Sequence, residues 1–151
     1  MNEATSGFEL GTDGPRVIVV AIDGSVTSLR AASYAAGLAR RQRAELVVAY
    51  VNTGSAIAGF VPEASLMLAD AHESVAQELR RLVDDGARLV GVSAQFVVAK
   101  GDAFTEISRI CSAVRADAVV VGASTSAGHR ILGSIGVRLV RAGRWPVTVV
   151  P

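Results

Sequence analysis

The sequence predicts a single-domain α/β protein built on an open parallel sheet with helices on both faces. Three observations lead there. Short Val-rich runs alternate with longer stretches of helical period, as strands joined by crossover helices do. The runs are apolar on both faces, as strands buried between helices must be. Half the residues are hydrophobic and 19% are charged, so the 151-residue chain has apolar surface enough for a covered core.

Residues 1–15 are polar and rich in glycine without periodicity, which reads as a flexible tail before a domain at 16–151. Residues 17–22, VIVVAI, form the first strand, ended by Asp23, Gly24 and Ser25. Ser25 or Thr27 caps a helix to about residue 41, with Leu29, Ala32, Ala36 and Ala39 inward. Residues 45–51 are the second strand, and residues 53–61 form a loop long enough to be a lid. From Pro62 a helix runs to Asp84, Asp85 and Gly86, with Leu66, Leu68, Val75, Leu79 and Leu82 inward. Residues 92–99 are the third strand. Asp102 caps a helix to Val114 that carries Ile107, Ile110 and Val114 on one face. Residues 118–121 are the fourth strand, 134–142 the fourth helix and 147–150 the fifth strand.

Composition removes several function classes. The longest apolar run, six residues, is far short of the roughly 20 that span a bilayer, and the first residues lack the basic and apolar regions of a signal peptide, so a cytoplasmic protein is expected. A net charge of +1 creates no field to recruit nucleic acid or anionic membrane. Cys111 is the single cysteine, so no internal disulfide forms, and its place in a helical pattern makes it a packed, inert thiol. His72 has no second histidine at metal-ligand spacing and is read as structural or exposed. Arg138 and Arg141 share one exposed helical face, where they stabilise the helix carboxyl end. No nucleophile elbow, catalytic triad or paired carboxylates stand out, and the turn after the first strand is not Gly-x-Gly-x-x-Gly.

In open parallel sheets, ligands sit beyond the carboxyl ends of the strands where strand order reverses. Residues 21–25, 51–53 and 122–134 should converge there. The last segment runs from Gly122 through Ser124, Thr125, Gly128, His129 and Arg130 to Gly133 and Ser134, from a strand into a helix. Glycines admit an anion close to backbone N–H groups, and a helix amino end favours negative charge, so the segment has the makings of a phosphate cradle. The same residues also serve as ordinary turn and capping residues.

Val20-Ala21-Ile22-Asp23-Gly24-Ser25, Val48-Ala49-Tyr50-Val51, Gly101-Asp102, Val121-Gly122 followed by Gly133-Ser134, and Trp145-Pro146-Val147-Thr148-Val149-Val150 together resemble the universal stress protein family over residues 16–151. The resemblance implies a five-stranded parallel sheet of order 3-2-1-4-5, of the adenine nucleotide alpha hydrolase-like type, in a module acting in the stress response without catalytic turnover. It also implies a site for ATP or another adenine nucleotide, with Mg²⁺ accompanying the nucleotide. Ala21 and Asp23 would lie against the adenosine part and Val51 against the adenine ring. Gly122, Gly133 and Ser134 fit the glycine motif of the ATP-binding branch. The second glycine position is Thr125, however, and only seven residues separate it from Gly133, leaving the loop two residues short. Gly128 offers a displaced flexible position, and Arg130 or His129 can meet a phosphate. The alternative is a dimeric interaction protein of the same fold that binds no nucleotide. In either case the resemblance implies a homodimer through an edge strand in residues 145–151.

Overall fold

The computed structural model describes residues 14–54, 62–124 and 134–151, with side chains from 66 in the second helix and from 135 in the last. Among the described residues nine elements follow one another: β1 (Val17–Ile22), α1 (Val26–Gln42), β2 (Glu45–Asn52), α2 (Pro62–Val90), β3 (Ala94–Lys100), α3 (Ala103–Val114), β4 (Ala118–Gly122), α4 (Ser134–Ala142) and β5 (Val147–Val150). The strands form a parallel sheet of order β3-β2-β1-β4-β5, the expected topology. Strand order reverses at β1, which pairs with β2 on one side and β4 on the other.

Alternation along the strands divides the core in two. Ile18, Val20, Leu46, Val48, Tyr50 and Phe96 face α1 and α2, against Ala31, Ala35, Ala39, Leu79 and Val83. Val19, Val47, Ala49, Val119 and Val121 face α3 and α4, against Ile107, Ile110, Cys111 and Leu139. Small side chains on α1 bring its axis close to β1 and β4. The alanines that fill this contact are 31, 35 and 39, while Leu29, Ala32 and Ala36 of the expected inward set lie at its margin, half-buried. The seat of α1 is decided by its first turn, where buried Thr27 and Ser28 are fixed against the end of β4.

Helix α2 departs most from expectation. It runs through Asp84, Asp85 and Gly86 to Val90, because a helix interior tolerates a single glycine at about 1 kcal/mol and the true stop lies further on. There Gly91 takes φ +69° and the Val92 amide donates to the Ala87 carbonyl at 2.9 Å. That turn also moves the start of the third strand from 92 to Ala94. Of the expected inward residues Leu79 is buried and Leu68 half-buried. Leu66, Val75 and Leu82 are exposed, because the sheet covers only the stripe through Leu79 and Val83. No helix among the described residues is long and apolar enough to cross a membrane.

Candidate functional site

Every strand points its carboxyl end to the same edge, so each following helix starts there. The amino ends of α1, α3 and α4 meet beyond β1, β2 and β4 around a cavity of about 350 Å³. Ala21, Ala49, Val51 and Val121 give it an apolar floor. Asp23, Ser25, Thr27, Ser28 and Thr53 supply polar walls, Gly122, Ala123 and Ser124 form the β4 exit, and Ala103, Ile107 and Ile135 close it from the α3 and α4 side. The location is the crevice that the strand reversal creates in such sheets.

The turn from β1 into α1 is tightly determined. The Ser25 amide donates to Asp23 Oδ1 at 2.9 Å, and the Asp23 amide donates to Ser28 Oγ at 3.2 Å. Ser25 is the N-cap, its Oγ accepting from the Ser28 amide at 3.2 Å, and Ser28 Oγ donates back to the Ser25 carbonyl at 2.9 Å. Partial burial pushes the Asp23 carboxyl up. The hydrogen bonds from Ser25, from Ser28 and from its own amide outweigh that and hold it below its ordinary value. Asp23 is therefore an ionised acceptor at neutral pH, suited to hydroxyl donors of a ligand. The helix amino ends around it carry partial positive charge, suited to an anion.

Gly122 has a structural reason to be glycine. A Cβ there would lie 2.6 Å from the Ser28 amide nitrogen, 2.6 Å from the Thr27 carbonyl carbon and 2.7 Å from its oxygen. Thr27 Oγ1 donates to the Ala123 carbonyl at 2.7 Å, while the Ala123 amide donates to the Val150 carbonyl at 2.7 Å. The missing side chain lets β4 abut the first turn of α1 and fixes where the next segment leaves the sheet.

Of the residues expected to form the site, the fold brings Ala21, Asp23, Val51 and Gly122 to the cavity wall. Thr125, Gly128, Arg130 and Gly133 lie outside the described residues, as does the expected lid 53–61 from residue 55 onward, and Ser134 is described only as the first residue of α4. Thr53 lies at the cavity as the converging segment 51–53 predicts, whereas sequence reasoning missed Ser28 and read Ile107 as core alone. The cluster Ser25-x-Thr27-Ser28 was a usable signal, since more hydroxyls stand there than one cap needs. Ala103, Ile107 and Ile135 carried no signal, because their role comes from helices distant in sequence.

The surroundings of the cavity hold further pairs. Arg138 does not serve the carboxyl end of its own helix. It binds both carboxylate oxygens of Asp102, at 3.0 and 3.3 Å, and lies over the Phe104 ring, tying α4 to the amino end of α3. Hydrogen bonds from Arg138 and from Thr105 hold the Asp102 carboxyl down at about 2. His72 Nδ1 is 3.1 Å from the hydroxyl of buried Tyr50, linking α2 to β2; burial, then the charge of Asp23, pushes that hydroxyl up. Cys111 is fully buried, and burial pushes its thiol up to about 12. No cluster of three metal-ligating side chains occurs among the described residues.

Strand reversal and cavity define the class: an open α/β domain with a crevice where its first and fourth strands diverge. The universal stress protein family model matches residues 15–151, and the chain belongs to that family. It is 30% identical over 136 residues to a universal stress protein of Methanocaldococcus jannaschii, covering 88% of this chain and 80% of that one. A solved universal stress family structure from Burkholderia pseudomallei is 29% identical, covering 90% of this chain and 96% of that one, with a TM-score of 0.69. A universal stress protein solved in complex with cAMP is 26% identical, covering 91% of this chain and 97% of that one, with a TM-score of 0.65.

Proposed function

We propose that the protein is a cytoplasmic, stress-responsive regulatory module that binds an adenine nucleotide and works by occupancy, without turnover. The observation that carries this reading is the cavity at the β1/β4 reversal, which sets ionised Asp23 beside an apolar floor under three helix amino ends. Its volume, about 350 Å³, is within the roughly 300–1,000 Å³ of small-molecule sites. Each part suits one part of a nucleotide. Val51 and Ala49 offer a flat apolar surface to a purine, Asp23 accepts from ribose hydroxyls, and the helix ends and the hydroxyls of Ser25 and Ser124 face the phosphate side. The relative that holds cAMP supports an adenine ligand. Mg²⁺ would be held by the phosphates. A homodimer through β5 fits the same reading, since that short apolar strand lies at the sheet edge with its backbone open to a second copy.

The second reading, an interaction protein that binds no nucleotide, is favoured by Gly122: its contact with Thr27 and Ser28 accounts for the glycine without a phosphate. Titration calorimetry with ATP, AMP and cAMP, together with mass analysis of nucleotide released on denaturation, separates the two. Binding that weakens at least tenfold in Asp23→Ala supports the nucleotide site. No heat with any of the three and no released nucleotide would remove it.

A further inference from the structure

We propose that Arg138 is the counter-charge that fits the cavity rim for a phosphate-bearing ligand, cancelling a carboxylate that α3 uses for its own cap. This rests on the nucleotide reading above and deepens it by naming a residue that sets the preference for an anion without lining the cavity. Helix α3 begins at the rim: Ala103, its first residue, lines the cavity, and Asp102 just before it is the N-cap. Asp102 Oδ2 accepts from the Thr105 amide at 2.9 Å and from Thr105 Oγ1 at 2.7 Å, so the carboxylate is fixed at the first turn. Asparagine or serine would cap the helix equally well without a charge. With aspartate there, a full negative charge stands beside a cavity whose helix amino ends each offer only roughly half a positive one. Unopposed, it would repel the anion that those ends attract.

Arg138 opposes it. Its Nη1 donates to Asp102 Oδ1 at 3.0 Å and its Nη2 to Asp102 Oδ2 at 3.3 Å, the two-pronged match of a guanidinium to a carboxylate. The same guanidinium lies 4.5 Å from the centre of the Phe104 ring, which holds the fork in one orientation. Arg138 stands in the second turn of α4, and helical side chains lean towards the amino end, so it reaches back to the level where α3 begins. Ile135, one turn earlier in α4, lines the same cavity, which places the pair at the cavity end of the contact between α3 and α4. The other acid in the first turn of α3, Glu106, is matched in turn by Arg109 at 2.8 Å. Both acids at this end of α3 are therefore compensated, and the amide dipoles of α3 and α4 are left to act on the ligand.

Titration calorimetry of the full chain with AMP and ATP, and with adenosine as the uncharged control, tests this in magnesium-free buffer at low salt. Arg138→Met should weaken binding of the nucleotides about threefold, the scale on which one unit charge acts across water on a nearby phosphate, and leave adenosine unchanged. Asp102→Asn, which keeps the cap, should tighten nucleotide binding by about the same factor. The two combined should return to wild type, and all the differences should shrink in about 0.5 M salt. Opposite signs in two partners of one ion pair mark a charge effect; a purely mechanical tie between α3 and α4 would give losses in both single variants and no recovery in the double. That result would overturn the proposal, as would nucleotide binding equal to wild type in Arg138→Met at low salt, or an equal loss for adenosine. Wild-type protein that binds neither nucleotide would remove the nucleotide reading itself, whereas wild-type binding with unmoved or same-sign variants would remove this proposal alone.

Discussion

Replacing Gly122 with alanine inserts one methyl group where the main chain of α1 already stands. The new carbon would sit 2.6 Å from two backbone atoms of Thr27 and Ser28, against the roughly 3.5–4.0 Å of optimal contact. No rotamer change relieves this, because the opposing atoms are main chain. The first turn of α1 must move by about 1 Å, and that stretches the 2.7 Å hydrogen bond from Thr27 Oγ1 to the Ala123 carbonyl. Overpacking of this kind costs about 1–3 kcal/mol and the weakened bond about 1 kcal/mol, so destabilisation of about 3 kcal/mol is expected. For a domain this size that lowers Tm by about 6–12 °C. Urea unfolding followed by circular dichroism, with calorimetry for Tm, measures it without any ligand. Gly86→Ala is the control, since that glycine lies inside α2 with nothing within 4 Å of an added Cβ; a gain of about 1 kcal/mol is expected. A Gly122→Ala protein within about 0.5 kcal/mol of wild type, the scatter of ordinary surface changes, would refute the close approach of β4 and α1.

Other outcomes follow from buried or paired groups. Asp102 sits at about 2 in the folded protein, below the ordinary 3.8, so its bonds with Arg138 and Thr105 stabilise the fold above about pH 4 and are lost as pH falls towards 2. The stability gap between wild type and Arg138→Met, measured by urea unfolding, should therefore narrow over that interval and stay constant above pH 5. Cys111, fully buried and raised to about 12, should not react with a thiol reagent until the protein unfolds, giving one equivalent in denaturant and none before it. Ile107→Ala empties a fully buried position that also backs the cavity and should cost about 2–5 kcal/mol in equilibrium unfolding.

Strand identity and helix starts were legible because they depend on neighbours in sequence. The run from Val17 to Ile22 reads as a two-faced strand, and Ser25 and Asp102 act as the caps their side-chain chemistry suggests. The limits of legibility show at α2. Val75 and Leu82 fit an inward helical stripe as well as Leu79 does, and nothing local says which stripe the sheet will cover. Arg138 looked like a charge serving its own helix end until the fold placed Asp102 and Phe104 beside it. At the site, Asp23 and Gly122 were identified from their places after strands, yet the reason for Gly122 lies in Thr27 and Ser28, nearly a hundred residues away.

The sequence by itself determined the alternation of strands and helices, the capped starts of α1 and α3 and the inert cysteine, since propensity, periodicity and hydrogen bonding near the chain act over a few residues. Tertiary structure alone decided which face of α2 is buried, which carboxylate Arg138 meets and how Ile107 and Ile135 come to share one cavity with Asp23. Those outcomes depend on distances between segments remote along the chain, and packing fixes such distances only when the whole sheet is assembled.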